Sequence, residues 1–254
     1  EDWKGARATL NAKLKTGTLP RDVHKRRDAV LALANARDDL AEGKVDDAKR
    51  EASEAYRLSP ALVPAAVMSA RMAIEEGQVK PAAKTLTKAW GLAPHPDLAA
   101  AFAAIAPNET PQERLKRFAP LLKLHRDSAE TKLLEAELYI AAEDFVAARR
   151  ALGDLAETSP TARSLTIMAA IERGEGSEDR VVRAWLAKAV TASRGAQWLC
   201  SNCGHVHADW RPTCTQCESF DTLTWDEAPQ SEAALMGAHQ MLPLIVGALE
   251  DKSA

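Results

Sequence analysis

The residues able to do defined chemistry are four cysteines: Cys200-Ser-Asn-Cys203-Gly204, a ten-residue gap, then Cys214-Thr-Gln-Cys217. The chain has no other cysteine. Two Cys-x2-Cys knuckles this close can set four thiolates at the corners of a tetrahedron, a donor set suited to Zn²⁺ or a single iron. Gly204, directly after the first knuckle, lets backbone N–H groups turn toward sulfur. Other uses of such cysteines fit less well. A c-type haem attachment requires His directly after the second Cys of a pair, and here Gly204 and Glu218 follow. A thioredoxin-like redox pair sits on a βαβ background that this sequence does not show. Paired disulfides suit an exported chain, and no signal peptide is legible. His205 and His207 could replace a thiolate, but with four Cys at hand they are expected to face solvent or to support the sulfurs. Both structural zinc and rubredoxin-type iron use four thiolates; nothing else here looks like an electron-transfer chain and such a site is closed to substrate water, so a structural zinc is favoured as the cofactor, with iron as the alternative.

About thirty residues around the knuckles cannot build an adequate core alone, so metal and aromatic side chains must stabilise them together. Trp198, Trp210, Phe220 and Trp225 supply the aromatics, and Val206, Leu223 and Thr224 fit short strands around the site. Residues 197–226 carry Arg211 against Asp209, Glu218, Asp221 and Asp226. Four thiolates on zinc add about two further negative charges. That balance, with a whole-chain net charge of −3, weighs against a nucleic-acid partner.

The elements that must carry this module are helical. Fifty of the 254 residues are Ala, the strongest helix former, and only 5% are aromatic. The pattern Gly43…Val45…Ala48…Ala52…Ala55…Pro60 recurs as Gly77…Val79…Ala82…Leu86…Ala89…Pro94, offset by 34 at every position. A further copy runs Ala136…Tyr139…Asp144…Ala148…Leu152…Leu155…Pro160, with a degenerate unit between, at Leu115, Ala119, Leu122 and Asp127. A last unit from Thr161 to about Thr191 holds Ala169, Trp185 and Ala187, with its turn at 174–176. Ala36, Ala70 and Ala136 let the first helix of a pair approach the second at Ala48, Ala82 and Ala148. Gly43 and Gly77 serve the turn, and the prolines close each unit.

This pattern resembles the tetratricopeptide repeat, best at 29–60, 63–94 and 129–160. The resemblance implies an all-α, right-handed tetratricopeptide-repeat-like solenoid over 1–195, the rubredoxin-like or zinc-ribbon metal module at 196–227, and a tail at 228–254. Such stacks bury a core only between neighbours and leave a concave surface for extended peptides or partner helices. The groove-facing positions expected from the repeat register are Val30, Leu33, Arg37 and Leu40, then Pro64, Val67, Arg71 and Ile74, and later Glu130, Leu133, Glu137 and Ile140. Arg37 and Arg71 share one repeat position and could form a ladder for a carboxylate or phosphate, whereas Glu137 reverses its sign.

Repeats followed by Cys-x2-Cys-Gly and Cys-x2-Cys resemble the LapB family of bacterial inner-membrane proteins. The wording from Trp198 to Trp225 is closer to the HemY-type tetratricopeptide-repeat proteins of alphaproteobacteria, which are distinct from the flavin oxidase of that name. Either resemblance implies metal ligands at Cys200, Cys203, Cys214 and Cys217, a non-enzymatic interaction scaffold, and membrane proteins among its partners. The first implies a role in lipopolysaccharide assembly, the second in haem metabolism. Haem as a ligand has no motif here, since His24, His95, His125 and His239 are scattered and read as surface residues.

Both families are anchored at the inner membrane. Residues 1–27 hold eight basic residues against Glu1, Asp2 and Asp22, a balance that suits a segment lying on the cytoplasmic, anionic side of a bilayer. The chain begins at Glu1 and no run approaches the roughly 18 apolar residues of a span, so an anchor is expected upstream of this sequence. The apolar stretch Met241–Leu249, interrupted by Pro243 and Gly247, is too short to span and is expected to dock on the repeat scaffold, its own or a neighbour's, with a disordered tail as the alternative. No nucleophile–base constellation or phosphate loop suggests an enzyme. A rubredoxin-like iron protein that cycles or transfers metal is the rival reading.

Overall fold

Ala48, Ala52 and Ala55 lie on one face of a helix and are fully buried, and so are Leu86 and Ala82 at the matching places one unit later. That regular burial of small side chains organises the chain. The computed structural model describes residues 2–15, 17 and 19–228. Among them twelve helices precede three strands: α1 Trp3–Lys15, α2 Arg21–Ala41, α3 Val45–Leu58, α4 Val63–Glu75, α5 Val79–Trp90, α6 Pro96–Ala103, α7 Pro111–Leu122, α8 Ala129–Ala141, α9 Phe145–Leu152, α10 Leu155–Thr158, α11 Ala162–Gly174 and α12 Asp179–Thr191, then β1 Ala196–Cys200, β2 Val206–His207 and β3 Leu223–Glu227. The tail segment Met241–Leu249 lies outside the described residues.

The close approach expected of the small residues is present. Ala36 and Ala48 share one core cluster, Ala70 and Ala82 a second, Ala136 and Ala148 a third. Alanine at these crossings removes the bulk that would otherwise hold two helix axes apart. Larger side chains fill the spaces between hairpins: Trp90, Phe118 and Leu121 are each at most 1% exposed.

Four hairpins (α2–α3, α4–α5, α8–α9 and α11–α12) turn in one way. In each, the amide two residues past the first helix bonds to the carbonyl three back, and the next amide to the carbonyl five back. The donors are Gly43 and Lys44, Gly77 and Gln78, Glu143 and Asp144, Gly176 and Ser177. The first of each pair has positive φ: 78° at Gly43, 74° at Gly77, 82° at Gly176, and 59° at Glu143. Only Gly adopts that conformation without strain, so Glu143 carries a cost of about 1–2 kcal/mol for its Cβ. Glu143→Gly, at an exposed position, is expected to raise stability by about 0.5–1 kcal/mol after the entropy of the more flexible unfolded chain is subtracted. A higher melting midpoint checks it; a lower one would show that the Glu143 side chain matters more than its backbone.

The repeat pattern weakens in two places. The degenerate unit consists of the eight-residue α6 and of α7, which contains Pro120. The second helix of the unit at 129–160 is split, because Gly153 takes φ 58° and ψ −134° between α9 and α10. Among the described residues no helix is long and apolar enough to cross a membrane.

The strands form one antiparallel sheet in the order β2-β1-β3, with Trp198 opposite both His207 and Trp225. This sheet is not a separate appendage. Trp198, Trp210, Cys200, Cys214 and Leu223 are buried in the same cluster as Val30 and Leu33 of α2, Leu62 before α4, and Ala65 within it.

Candidate metal centre

The two knuckles are built alike. In the first, Gly204 N donates to Cys200 O (2.8 Å) and Cys200 N to His205 O (2.9 Å); in the second, Glu218 N donates to Cys214 O (3.0 Å) and Cys214 N to Ser219 O (3.0 Å). Gly204 has φ 74° and Glu218, in the equivalent place, φ 56°. The sequence marks only the first of these turns, because glutamate does not announce a left-handed residue.

These turns aim four sulfurs at one point. The Sγ atoms of Cys200, Cys203, Cys214 and Cys217 all lie within 4.8 Å of one another. Cys200 and Cys217 are 3.7 Å apart, as are Cys203 and Cys214. A disulfide requires about 2.05 Å, so the thiols are not bridged. A regular tetrahedron with metal–sulfur bonds of about 2.3 Å has edges of about 3.8 Å, close to the 3.7 Å of those two pairs. The quartet thus fits a tetrahedral ion.

The surroundings favour thiolates unequally. Asn202 Nδ2 lies 3.5 Å from Cys217 Sγ, and that hydrogen bond, aided by Ser219, lowers the thiol to about 5. Burial opposes ionisation of Cys200, but Thr222 and the amides of Cys203 and Asn202 bring its pKa below the ordinary value. Cys203 goes the other way: the His205 amide favours its thiolate, yet burial and the sulfurs of Cys217, Cys200 and Cys214 push it up to about 12. Four sulfurs crowded together cannot all carry charge unless a cation balances them. Gln216 N donates to Cys214 Sγ (3.4 Å), and His207 Nε2 sits 3.3 Å from the same sulfur. His207 is buried against the quartet, while His205 is exposed beside it. Cys200 and Cys214 are buried, Cys217 is half-buried and Cys203 exposed.

The helices grip this module at three points. Arg26 of α2 forms an ion pair with Asp221 (2.9 Å). Arg37 donates to Trp210 O (2.8 Å) and lies over the Trp210 ring, 4.9 Å from its centroid. His95, at the N-terminus of α6, packs its ring 5.2 Å from Trp198 and 4.2 Å from Trp225. Here the structure corrects the reading of the histidines as surface residues: His95 is 1% exposed and His24 is 6% exposed. The signal for His95 was its setting, Pro94-His95-Pro96-Asp97, because its ring accepts the Asp97 amide (3.1 Å) and starts α6.

Burial drives the His95 pKa from 6.5 down to about 4, against the pull of Asp97. Below pH 6.5 the unfolded chain takes up a proton at this ring that the folded chain refuses, so stability falls with pH until about 4. The loss is expected to reach about 3 kcal/mol. Urea unfolding between pH 7 and 4.5 should be steeper in pH for the parent than for His95→Asn, and equal slopes would exclude the ring as the source.

The expected groove residues have distinct fates. Leu33 is 0% exposed beneath the module, and Leu133 is buried among the α8–α11 contacts. Arg37 is engaged by Trp210. Glu137 accepts both a 2.7 Å and a 2.8 Å bond from Arg163, which also holds Glu130. Val67 is buried in the floor of a cleft whose edge carries Arg71. The structure therefore defines a mostly helical chain with a four-cysteine cluster docked on its own first-helix faces. No family model and no curated protein matches the chain.

Proposed function

We propose that the chain is a non-enzymatic protein-interaction scaffold: a tetratricopeptide-type helical array stiffened by a structural zinc module. The observation that carries this reading is the common turn of four hairpins, with small-residue crossings inside them and a metal-fitting sulfur quartet locked against α2 and α4. Arrays of this design present extended surfaces rather than enclosed reaction sites. The resemblance to HemY-type proteins supports a place at the cytoplasmic face of a bacterial inner membrane, with partners in haem metabolism. The LapB resemblance points to lipopolysaccharide assembly. Of the basic residues in 1–27, Arg7 is held by Asp28 and Glu51, and Arg26 by Asp221. A membrane-facing role falls to the exposed Lys4, Lys15, Arg21, Lys25 and Arg27.

Affinity purification from membranes, using the chain and a four-Cys→Ser variant as baits, tests the scaffold. Enrichment of defined membrane-associated proteins by the parent supports it, and the identity of those proteins separates the two family readings. Elemental analysis tests the metal. One zinc per chain supports the structural role. A red protein that bleaches on reduction would favour the iron reading, for which the exposed Cys203 offers a route for electrons to solvent.

A further inference from the structure

Cations on the outer sides of the helices differ in whether an acid answers them. On α3, Arg50 pairs with Asp47 and Arg57 with Glu54, each within one turn. On α5, Lys80, Lys84 and Lys88 recur every four residues and form one exposed row, on a helix that contains no Asp or Glu. None of the three has a hydrogen-bond or ion-pair partner among the described residues, and neither has the exposed Lys123 that ends α7. The chain as a whole is at −3, so this excess of cations is local.

An apolar patch lies against the row. Leu92, just past α5, is 52% exposed, and Leu124, just past α7, is 45% exposed. Both line a surface hollow of about 520 Å³ that Lys84 and Lys88 also line, and no acidic residue is among its walls. Two contacts fix its shape. Leu124 lies over Gly91, where an added Cβ would come 3.6 Å from its Cδ1, and His125 Nε2 donates to Gly91 O (2.9 Å). Further along the chain Arg126 and Asp127 cancel in charge, and on α7 Lys116 faces Glu113.

Composition separates two kinds of partner. Centres of protein interfaces are rich in Trp, Tyr and Arg and poor in Lys. The hollow has Lys and Leu over small residues, with no aromatic ring and no Arg. Flexible lysines around exposed leucines suit the boundary of an anionic bilayer, where the ammonium reaches the headgroups and the apolar part sits below them.

We propose that the outer face of α5 and the end of α7 is a docking surface for an anionic lipid bilayer, held by Lys80, Lys84, Lys88 and Lys123, with Leu92 and Leu124 entering the headgroup boundary. The surface uses the second helices of two hairpins, not the first-helix positions of the groove, and no residue of 1–27. It deepens the membrane-side placement and rests on it.

The test is co-sedimentation of the full chain with vesicles of mixed phosphatidylglycerol and phosphatidylcholine, against phosphatidylcholine alone, at low and high salt. Binding to the anionic vesicles only is expected, weakened by salt. Lys84→Gln combined with Lys88→Gln should lower the partition about 25-fold, about fivefold for each lysine. Both lysines are exposed and Gln is a good helix former, so the melting midpoint should stay that of the parent. Leu92→Ser combined with Leu124→Ser should weaken binding without changing its salt dependence. A third variant replaces Lys4, Lys15 and Lys25 with Gln. If it abolishes binding while the Lys84/Lys88 variant binds like the parent, the proposal falls and the membrane-side placement stands. If the parent ignores anionic vesicles, or binds both kinds equally, both fall. Unchanged vesicle binding by the Lys84/Lys88 variant, with loss of a protein from the affinity purification, would assign the hollow to an acidic protein and also overturn the proposal.

Discussion

With the proposed zinc bound, chelating it, or replacing Cys214 with serine, is expected to unfold the module and to loosen α2 and α4 with it, while α8 to α12 keep their stability. Structural zinc in small domains contributes on the order of 10–16 kcal/mol, and a module of this size has no sufficient core without it. Cys214 is 1% exposed and belongs to the cluster that also contains Val30, Leu33, Leu62 and Ala65. Once Trp198 and Trp210 leave, that apolar face meets water, and the Arg26–Asp221 and Arg37–Trp210 links are lost together. The remaining hairpins have their own contacts: Leu152, Leu165 and Ile171 pack in a cluster that includes no module residue. Hydrogen exchange resolves the two halves. Protection should fall by several kcal/mol in β1, β3, α2 and α4, and by less than about 0.5 kcal/mol in α11 and α12, as expected for sites without shared contacts. Equal loss across all helices would mean that the array and module unfold as a single cooperative unit. No loss in α2 would mean that the docking contacts contribute little.

Much of this arrangement is legible in the residue order because it depends on near neighbours. The alanines at 36, 48, 70, 82, 136 and 148 and the glycines at 43 and 77 act within one hairpin, so a fixed offset reveals them. The cysteines are equally plain, since each knuckle is closed by bonds spanning four or five residues. What remained hidden depends on distance along the chain. Arg37 meets Trp210 across 173 positions and Arg26 meets Asp221 across 195, and no periodicity couples such pairs. The register could therefore place Leu33 and Arg37 on the groove-facing side of α2 without showing that the chain's own module covers them. Glu143 and Glu218 were hidden for another reason. Each holds a backbone conformation usually left to glycine, and neighbouring hydrogen bonds, rather than residue type, fix it there. For His95 the local setting marks a helix start, but its burial comes from contact with two tryptophans far along the chain, which no local pattern shows.

Those tryptophans define the second large effect. Trp198→Ala is expected to lower stability by about 3–5 kcal/mol, the range for removing a large aromatic side chain from a core. Trp198 is 7% exposed, pairs across β1–β3 with Trp225 at 5.3 Å between centroids, and meets His95 on the helical side. Removing it deletes the wedge between sheet and array while leaving every sulfur in place, so the metal should stay bound at one ion per chain. That separates docking from metal binding, which chelation cannot do. His95→Ala should cost less, and the double variant less than the sum, because each single change already breaks the same stack. A coupling of about 1 kcal/mol is expected for a ring pair of this kind. Trp185→Ala is the control: that ring lies on α12 beside Lys188, away from the module, and should be additive with His95→Ala. Strict additivity of Trp198→Ala and His95→Ala would show that the two rings do not share an interface in solution, and the docking of the metal module on α6 would have to be abandoned.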